Sequence, residues 1–180
     1  MMQERLSHLK SEFHTQIAMV RRYDPSITSN SQVALTYSGL HAVWCYRIAH
    51  RLWLHEHRLA AQIVSQVGRM ITGVEIHPGA RIGQRLLIDH GTGIVIGETA
   101  VLGDDIVLYQ GVTLGGVRNH AGKRHPTLGD GVLVGAGAKI LGAIVIGSHA
   151  RIGANAVVLH NVPEGATAVG VPAHVIQGQT

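Results

Sequence analysis

The sequence is poor in the residues that usually fill a protein core or cross-link one. A single cysteine, Cys45, excludes a disulfide framework and a cysteine-based metal site. Its neighbours Trp44 and Tyr46 place it in an apolar helix, as a buried thiol. Phe, Trp and Tyr make up only 4% of the chain, so the core has to be built from aliphatic and small side chains. No apolar run is long enough to span a bilayer, and residues 1–10 lack the features of a secretory leader, so a cytoplasmic protein is expected. Dense basic runs are also lacking, which argues against a nucleic-acid partner despite a formal net charge of +4. That excess belongs to residues 1–72, with eight Lys/Arg against four Asp/Glu; residues 73–180 carry seven of each.

Glycine is what the chain has in quantity, and it is unevenly placed. Residues 73–180 hold 21 of the 23 glycines, whereas residues 1–53 hold six of the seven Phe, Trp and Tyr. The glycine-rich part repeats every six residues: Ile96-Gly97, Leu102-Gly103, Leu108-Tyr109 and Leu114-Gly115, then Leu128-Gly129, Val134-Gly135, Ile140-Leu141, Ile146-Gly147 and Ile152-Gly153. Four residues after each opener stands a small or β-branched residue, among them Ala100, Ile106, Val112, Val132, Ala138, Ile144, Ala150 and Ala156. A period of six fits neither an α-helix nor a plain strand, and it is the signature of a parallel β-helix. Three units make a triangular coil of about 18 residues, and successive coils stack at about 4.8 Å. The domains expected are a helical capping and oligomerisation part, 1–72, a β-helix, 73–163, and a C-terminal extension, 164–180.

Within the helical part, Leu6, Leu9, Phe13, Ile17 and Val20 recur at helical spacing and predict a helix over residues 2–22. Pro25 stops it by disfavouring helical geometry at Asp24. Residues 27–33 read as a polar connection. A second helix is expected over about 35–57, with Leu40, Val43, Trp44, Ile48, Leu52 and Trp53 as its apolar face. A third, over 59–72, carries Ile63, Val67, Met70 and Ile71. The open end of a solenoid exposes unpaired strand edges, and these helices are placed to cap the first coil. Their remaining apolar surface predicts a subunit contact.

The repeat breaks its own period twice, and function in such a scaffold concentrates at the breaks. After Ile88 the next opener is Ile96, eight residues on, so two residues are inserted around Asp89-His90-Gly91. After Leu114 the next is Leu128, so residues 115–127 form a loop that leaves the coil. Of the thirteen histidines, only His90, His120 and His125 lie in these insertions. His90 and His125 are 35 residues apart, nearly two coils, so one side of the prism or a subunit interface brings them together. A histidine is the natural general base for a hydroxyl near neutral pH, and a carboxylate on its other nitrogen fixes the tautomer. Asp89 adjoins His90, and Glu75, 15 residues earlier and nearly one coil below, is a candidate for that carboxylate. Arg124-His125-Pro126 closes the long loop and offers a fork for a substrate carboxylate.

Several runs together resemble the serine O-acetyltransferases, a family of hexapeptide-repeat acyltransferases. They are Glu75-Ile-His-Pro-Gly-Ala, Leu87-Ile-Asp-His-Gly-Thr-Gly-Ile-Val-Ile-Gly-Glu-Thr-Ala, Gly111-Val-Thr-Leu-Gly-Gly, Lys123-Arg-His-Pro, Gly135-Ala-Gly-Ala-Lys-Ile-Leu-Gly and Gly170-Val-Pro-Ala. The likeness covers about residues 20–175 and includes Asp24-Pro25. It implies an all-α N-terminal part followed by a left-handed parallel β-helix, and acetyl transfer from acetyl-CoA to the hydroxyl of L-serine in cysteine biosynthesis, without a metal. By the same resemblance His90 is the general base and Glu75 its orienting carboxylate, where the family more familiarly has Asp. Asp24 and Asp89 hold the substrate ammonium, and Arg124 and His125 hold its carboxylate. Acetyl-CoA lies along the coils between two subunits, met by backbone near Gly116, Ala136 and Ala154. The resemblance also implies a homotrimer or dimer of trimers.

Other readings remain open on the residues alone. A different hydroxyl acceptor, such as a sugar or homoserine, keeps the chemistry and changes only the clamps. A zinc-dependent, carbonic anhydrase-like β-helix would use His120 and His125, five residues apart, with His90 as a third ligand. Against it, Arg124 would repel the cation. Many relatives carry a longer tail ending in isoleucine that inserts into O-acetylserine sulfhydrylase. The polar Gln177-Gly178-Gln179-Thr180 offers no such anchor, so that complex is expected to be weak or absent and cysteine inhibition modest.

Overall fold

The computed structural model describes residues 15–118 and 120–176. Leu6, Leu9 and Phe13 of the first predicted helix, and the Gln177–Thr180 tail, lie outside the described residues. Residues 15–23 are helical (α1) and end before Pro25, and Val20 is buried with Val33, Leu40 and Leu87. A second helix, α2, spans Asn30–Thr36, where the sequence pattern predicts a connection. The signal for it is a capping arrangement: Ser29 Oγ accepts from Gln32 N at 3.1 Å, while Gln32 Oε1 accepts from Thr28 N at 3.0 Å.

The predicted helix over 35–57 is broken at Tyr37, which is extended (φ −89°, ψ 94°), and resumes as α3, Ser38–Leu54. The cause is tertiary. Gly39 sits so close to the solenoid that a Cβ there would lie 2.0 Å from Ile88 O. Only glycine allows this approach. Gly39→Ala is therefore expected to destabilise the fold by about 1–3 kcal/mol through overpacking, measured as a lowered urea midpoint at unchanged m-value.

The final helix, α4, spans Arg58–Thr72. It buries Ala61, Ser65, Gly68 and Thr72, whereas Met70 and Ile71 are 77% and 70% exposed. Ile63 and Val67 are exposed as well. The small face lets α4 pack closely on α3 and the first strand, leaving the large apolar residues as an outward stripe. In α3, Leu40 and Val43 of the expected apolar face are buried together with Gly39, Ala42, Tyr46 and Ala49, while Ile48 is exposed.

From Glu75 on, short strands stack into three faces. Face I stacks Glu75–Ile76, Val95–Ile96, Thr113–Gly115, Lys139–Leu141 and Val157–Val158. Face II stacks Arg81–Ile82, Val101–Leu102, Thr127–Leu128 and Val145–Ile146. Face III begins with Leu87–Asp89 and continues through Val107–Tyr109, Leu133–Val134, Arg151–Ile152 and Thr167–Val169. All these pairings are parallel; His174–Ile176 then folds back antiparallel on Thr167–Val169. Within the part expected as an extension, Thr167–Val169 and His174–Ile176 thus contribute two further strands to face III. Inside the prism, Ile96, Leu114 and Ile140, then Leu102, Leu128 and Ile146, then Leu108, Val134 and Ile152 form three columns, each residue at most 3% exposed. Burying such a side chain stabilises by about 1.5–3 kcal/mol.

The breaks in the repeat appear as register. Thr113 pairs with Val95, 18 residues before it, but Val95 pairs with Glu75, 20 before, because of the inserted pair. Val101 pairs with Thr127, 26 residues on, because the loop has been extruded. The helices seal the first coil by supplying donors to its unpaired carbonyls. Tyr46 donates to Ala80 O (2.7 Å), Ser65 to Ile76 O (2.7 Å), His50 to Pro78 O (2.7 Å), and Arg47 to Ile82 O (2.7 Å) and Gly83 O.

Candidate active site

The first insertion forms the edge between faces III and I. His90 and Gly91 both adopt left-handed backbone, φ 61° and 78°. For a histidine this is uncommon, and such strain clusters at functional sites. The turn throws the imidazole outward to 75% exposure, with Nε2 3.9 Å from Asp89 Oδ1. The helical part holds this edge from the other side: Ser38 Oγ donates to His90 O at 3.3 Å and Tyr37 OH to Asp89 Oδ1 at 3.0 Å. Burial, then the Asp89 charge, pushes the Tyr37 phenol up, so it remains a donor. Asp24, just past α1, completes the group. Its Oδ1 accepts from Ser26 N at 2.9 Å, and the Ser26 hydrogen bonds, with a smaller contribution from His90, hold its carboxyl below the usual range. Asp24, Thr36, Tyr37, Ser38, Gly39, Asp89 and His90 line a cleft of about 220 Å³. Two carboxylates beside one imidazole suit a cationic group next to a proton to be removed.

A second cluster lies on the edge between faces I and II, where the extruded loop rejoins the coil. Arg124 Nη2 donates to Glu98 Oε2 at 2.6 Å. His125 is 8% exposed, and its Nδ1 lies 3.1 Å from Thr99 N and 2.9 Å from Thr99 Oγ1. Thr99 Oγ1 also accepts from Arg124 N (3.0 Å) and His125 N (3.1 Å), while Lys123 Nζ ties down Thr99 O at 2.7 Å. Burial, then the Arg124 charge, pushes the His125 imidazole below its ordinary value, so it is neutral near pH 7. Gly116, at the start of the loop, packs beside Arg124. Ala136 and Ala154 occupy the III–I edge on successive coils beyond His90, where Ala136 O accepts from Asn155 N at 2.7 Å. A single chain therefore brings Asp24, Asp89 and His90 together, and Arg124, His125 and Gly116 together. The two groups occupy different edges of the prism.

Comparison with known proteins gives this arrangement a context. The family model for the bacterial transferase hexapeptide (six repeats) matches residues 125–160. The serine acetyltransferase of Staphylococcus aureus is 55% identical over 161 residues, covering 89% of this chain and 76% of that protein. The chain belongs to the serine acetyltransferase family. The Neisseria gonorrhoeae serine acetyltransferase in complex with serine superposes with a TM-score of 0.88 at 44% identity, covering 93% of this chain and 69% of that one. A serine acetyltransferase in complex with CoA gives 0.87 at 45% identity, covering 92% and 68%. The fold shared with these family members is the left-handed parallel β-helix behind a helical part.

Glu75 is not among the residues that line His90's cleft. It opens the lowest strand of face I, and its Oε2 is 2.9 Å from Arg69 Nη1 of α4. His120 turns its Nδ1 to Ala121 O at 2.7 Å, and among the described residues no group of three His, Cys, Asp or Glu is arranged to hold a metal ion. The sequence alone assigns no role to Tyr37, Ser38, Glu98 or Thr99, although the last two stand within a run that carries the resemblance. Glu98 and Thr99 fall at a turn of the repeat that looks regular, and only the stacking of coils shows that they meet the loop.

Proposed function

We propose that the protein transfers the acetyl group of acetyl-CoA to the hydroxyl of L-serine, giving O-acetyl-L-serine and CoA for cysteine biosynthesis. The observation that carries this reading is the chemistry of the two clusters. The Asp24–Asp89 pair beside His90 receives an ammonium, and Arg124 with His125 receives a carboxylate, so a zwitterion is held with its hydroxyl at the exposed imidazole. His90 removes the hydroxyl proton as the oxygen attacks the thioester carbonyl. The tetrahedral intermediate collapses, the C–S bond breaks, and the imidazolium returns the proton to the leaving CoA sulfur. Glu75 is the carboxylate assigned to orient His90, and Arg69 competes for it in the single chain. Glu75→Gln is expected to lower kcat with little change in the KM for serine, checked by steady-state kinetics. Acetyl-CoA is assigned to the III–I edge at Ala136 and Ala154, approached by Gly116.

Because the clusters occupy different edges, a complete site takes the III–I edge of one subunit and the I–II edge of the next. This supports a homotrimer. The outward stripe of α4, Leu59, Ile63, Val67, Met70 and Ile71, supplies a further apolar surface for subunit contact, either within the trimer or in a dimer of trimers. No described helix is long and apolar enough to cross a membrane, and a cytoplasmic location is part of the proposal.

The test is thiol release from acetyl-CoA with serine, homoserine or a sugar as acceptor. Serine is expected to give the highest kcat/KM; preference for a sugar would overturn the clamp assignment. Chelation with EDTA is expected to leave turnover unchanged, and loss of activity restored by zinc would favour a metal enzyme instead.

A further inference from the structure

Glycine, glutamate and threonine follow one another at Gly97-Glu98-Thr99, and each meets a different part of the loop end. A Cβ on Gly97 would lie 2.1 Å from both Cδ2 and Nε2 of His125, so the imidazole lies flat in the space that glycine leaves. Glu98 holds the Arg124 guanidinium. Thr99 holds the backbone of both residues through Oγ1 and faces Nδ1 of His125 with two groups.

The direction of these bonds is determined by the donors. Thr99 N–H can only donate, so Nδ1 must accept. Oγ1 already accepts from two backbone amides, which leaves its own hydrogen for Nδ1. A ring nitrogen that accepts carries no proton, so in the neutral imidazole the proton sits on Nε2. No hydrogen bond within the described residues engages Nε2, and no buried side-chain nitrogen or oxygen among them lacks a partner. Nε2–H is thus the edge of the ring that reaches solvent.

We infer that Thr99 is a positioning residue that locks His125 as the Nε2–H tautomer, making it an uncharged hydrogen-bond donor to the substrate carboxylate. This rests on the clamp reading above. The carboxylate then meets one formal cation, Arg124, already shared with Glu98, and one neutral donor. Recognition at this end is by direction more than by charge. The other charged and titratable groups facing the ring are Lys123 from the loop and His77 from face I. Burial depresses protonation of the ring, consistent with a neutral donor.

The test uses the full-length enzyme labelled with ¹⁵N-histidine, with His125→Gln identifying the His125 signals. The native protein is expected to show a protonated Nε2 and a bare Nδ1. A protonated Nδ1 overturns the inference without any variant. Thr99→Val keeps the shape but removes Oγ1, leaving two loop amides without their acceptor. It is expected to turn the His125 signals into a tautomer mixture and to raise the KM for serine roughly 3- to 10-fold, the effect of one lost neutral hydrogen bond, at nearly unchanged kcat. Thr99→Ser is expected to restore both. An unaltered tautomer in Thr99→Val overturns the positioning role alone. A tautomer mixture with unmoved serine KM overturns the carboxylate clamp and the role built on it.

Discussion

Replacing His90 with alanine is expected to reduce turnover with serine by at least about 10²–10⁴-fold, the range for loss of a general base. A serine hydroxyl is a weak nucleophile at neutral pH, and within the cleft His90 is the one residue that can both take its proton and hand it to a leaving thiolate. Its side chain is 75% exposed and makes no buried packing, so the variant is expected to melt at the native temperature and to bind acetyl-CoA normally. The Ser38 contact uses the carbonyl of residue 90 and not its ring, so it survives the substitution. Stopped assays of thiol release, with calorimetry for coenzyme binding, read both halves of the expectation. Near-native turnover would remove His90 from the mechanism.

The second large effect comes from mixing two inactive proteins. His90→Ala and Arg124→Ala each damage one edge, and each leaves the other edge whole. If the site forms between subunits, denaturing the two together and refolding them produces interfaces that join an intact III–I edge to an intact I–II edge. Random assembly of a cyclic trimer restores about a quarter of native activity, from parents that separately have almost none. If one chain contained the whole site, mixing would restore nothing. The same experiment separates the oligomer proposal from the chemical one, because recovery needs a second subunit whatever the acceptor is.

The coils were legible in the sequence because everything that specifies them is local. An opener such as Ile96 meets Leu114 one coil later whatever the rest of the chain does. A two-residue insertion at Asp89-His90 could not be hidden, since it shifts the frame of every later unit. The helical part was less legible for a physical reason. Ile63, Val67, Met70 and Ile71 mark an apolar stripe without saying which side of the helix meets the core, and close packing here selected Ala61, Ser65 and Gly68. The break at Tyr37 was equally hidden, because Gly39 is dictated by Ile88, 49 positions away. In the site, residues at breaks stood out and their supports did not. Tyr37 and Asp89 are 52 positions apart, and Thr99 and His125 are 26 apart, so neither pairing leaves a trace in spacing.

The last rung of face III has a consequence for how the molecule comes apart. Each coil touches only its neighbours, so the solenoid unravels from an end rather than all at once. The N-terminal end is fastened by side chains of Tyr46, Arg47, His50 and Ser65, while the last described rung, His174–Ile176, is exposed at every position and is held by backbone bonds. Amide exchange should therefore be fastest at Thr167–Val169 and His174–Ile176, next in the coil that holds Ala154, and slowest beside Ile88, as the least protected elements open first. Heat would then open the edge proposed for acetyl-CoA before the cleft proposed to receive the serine ammonium.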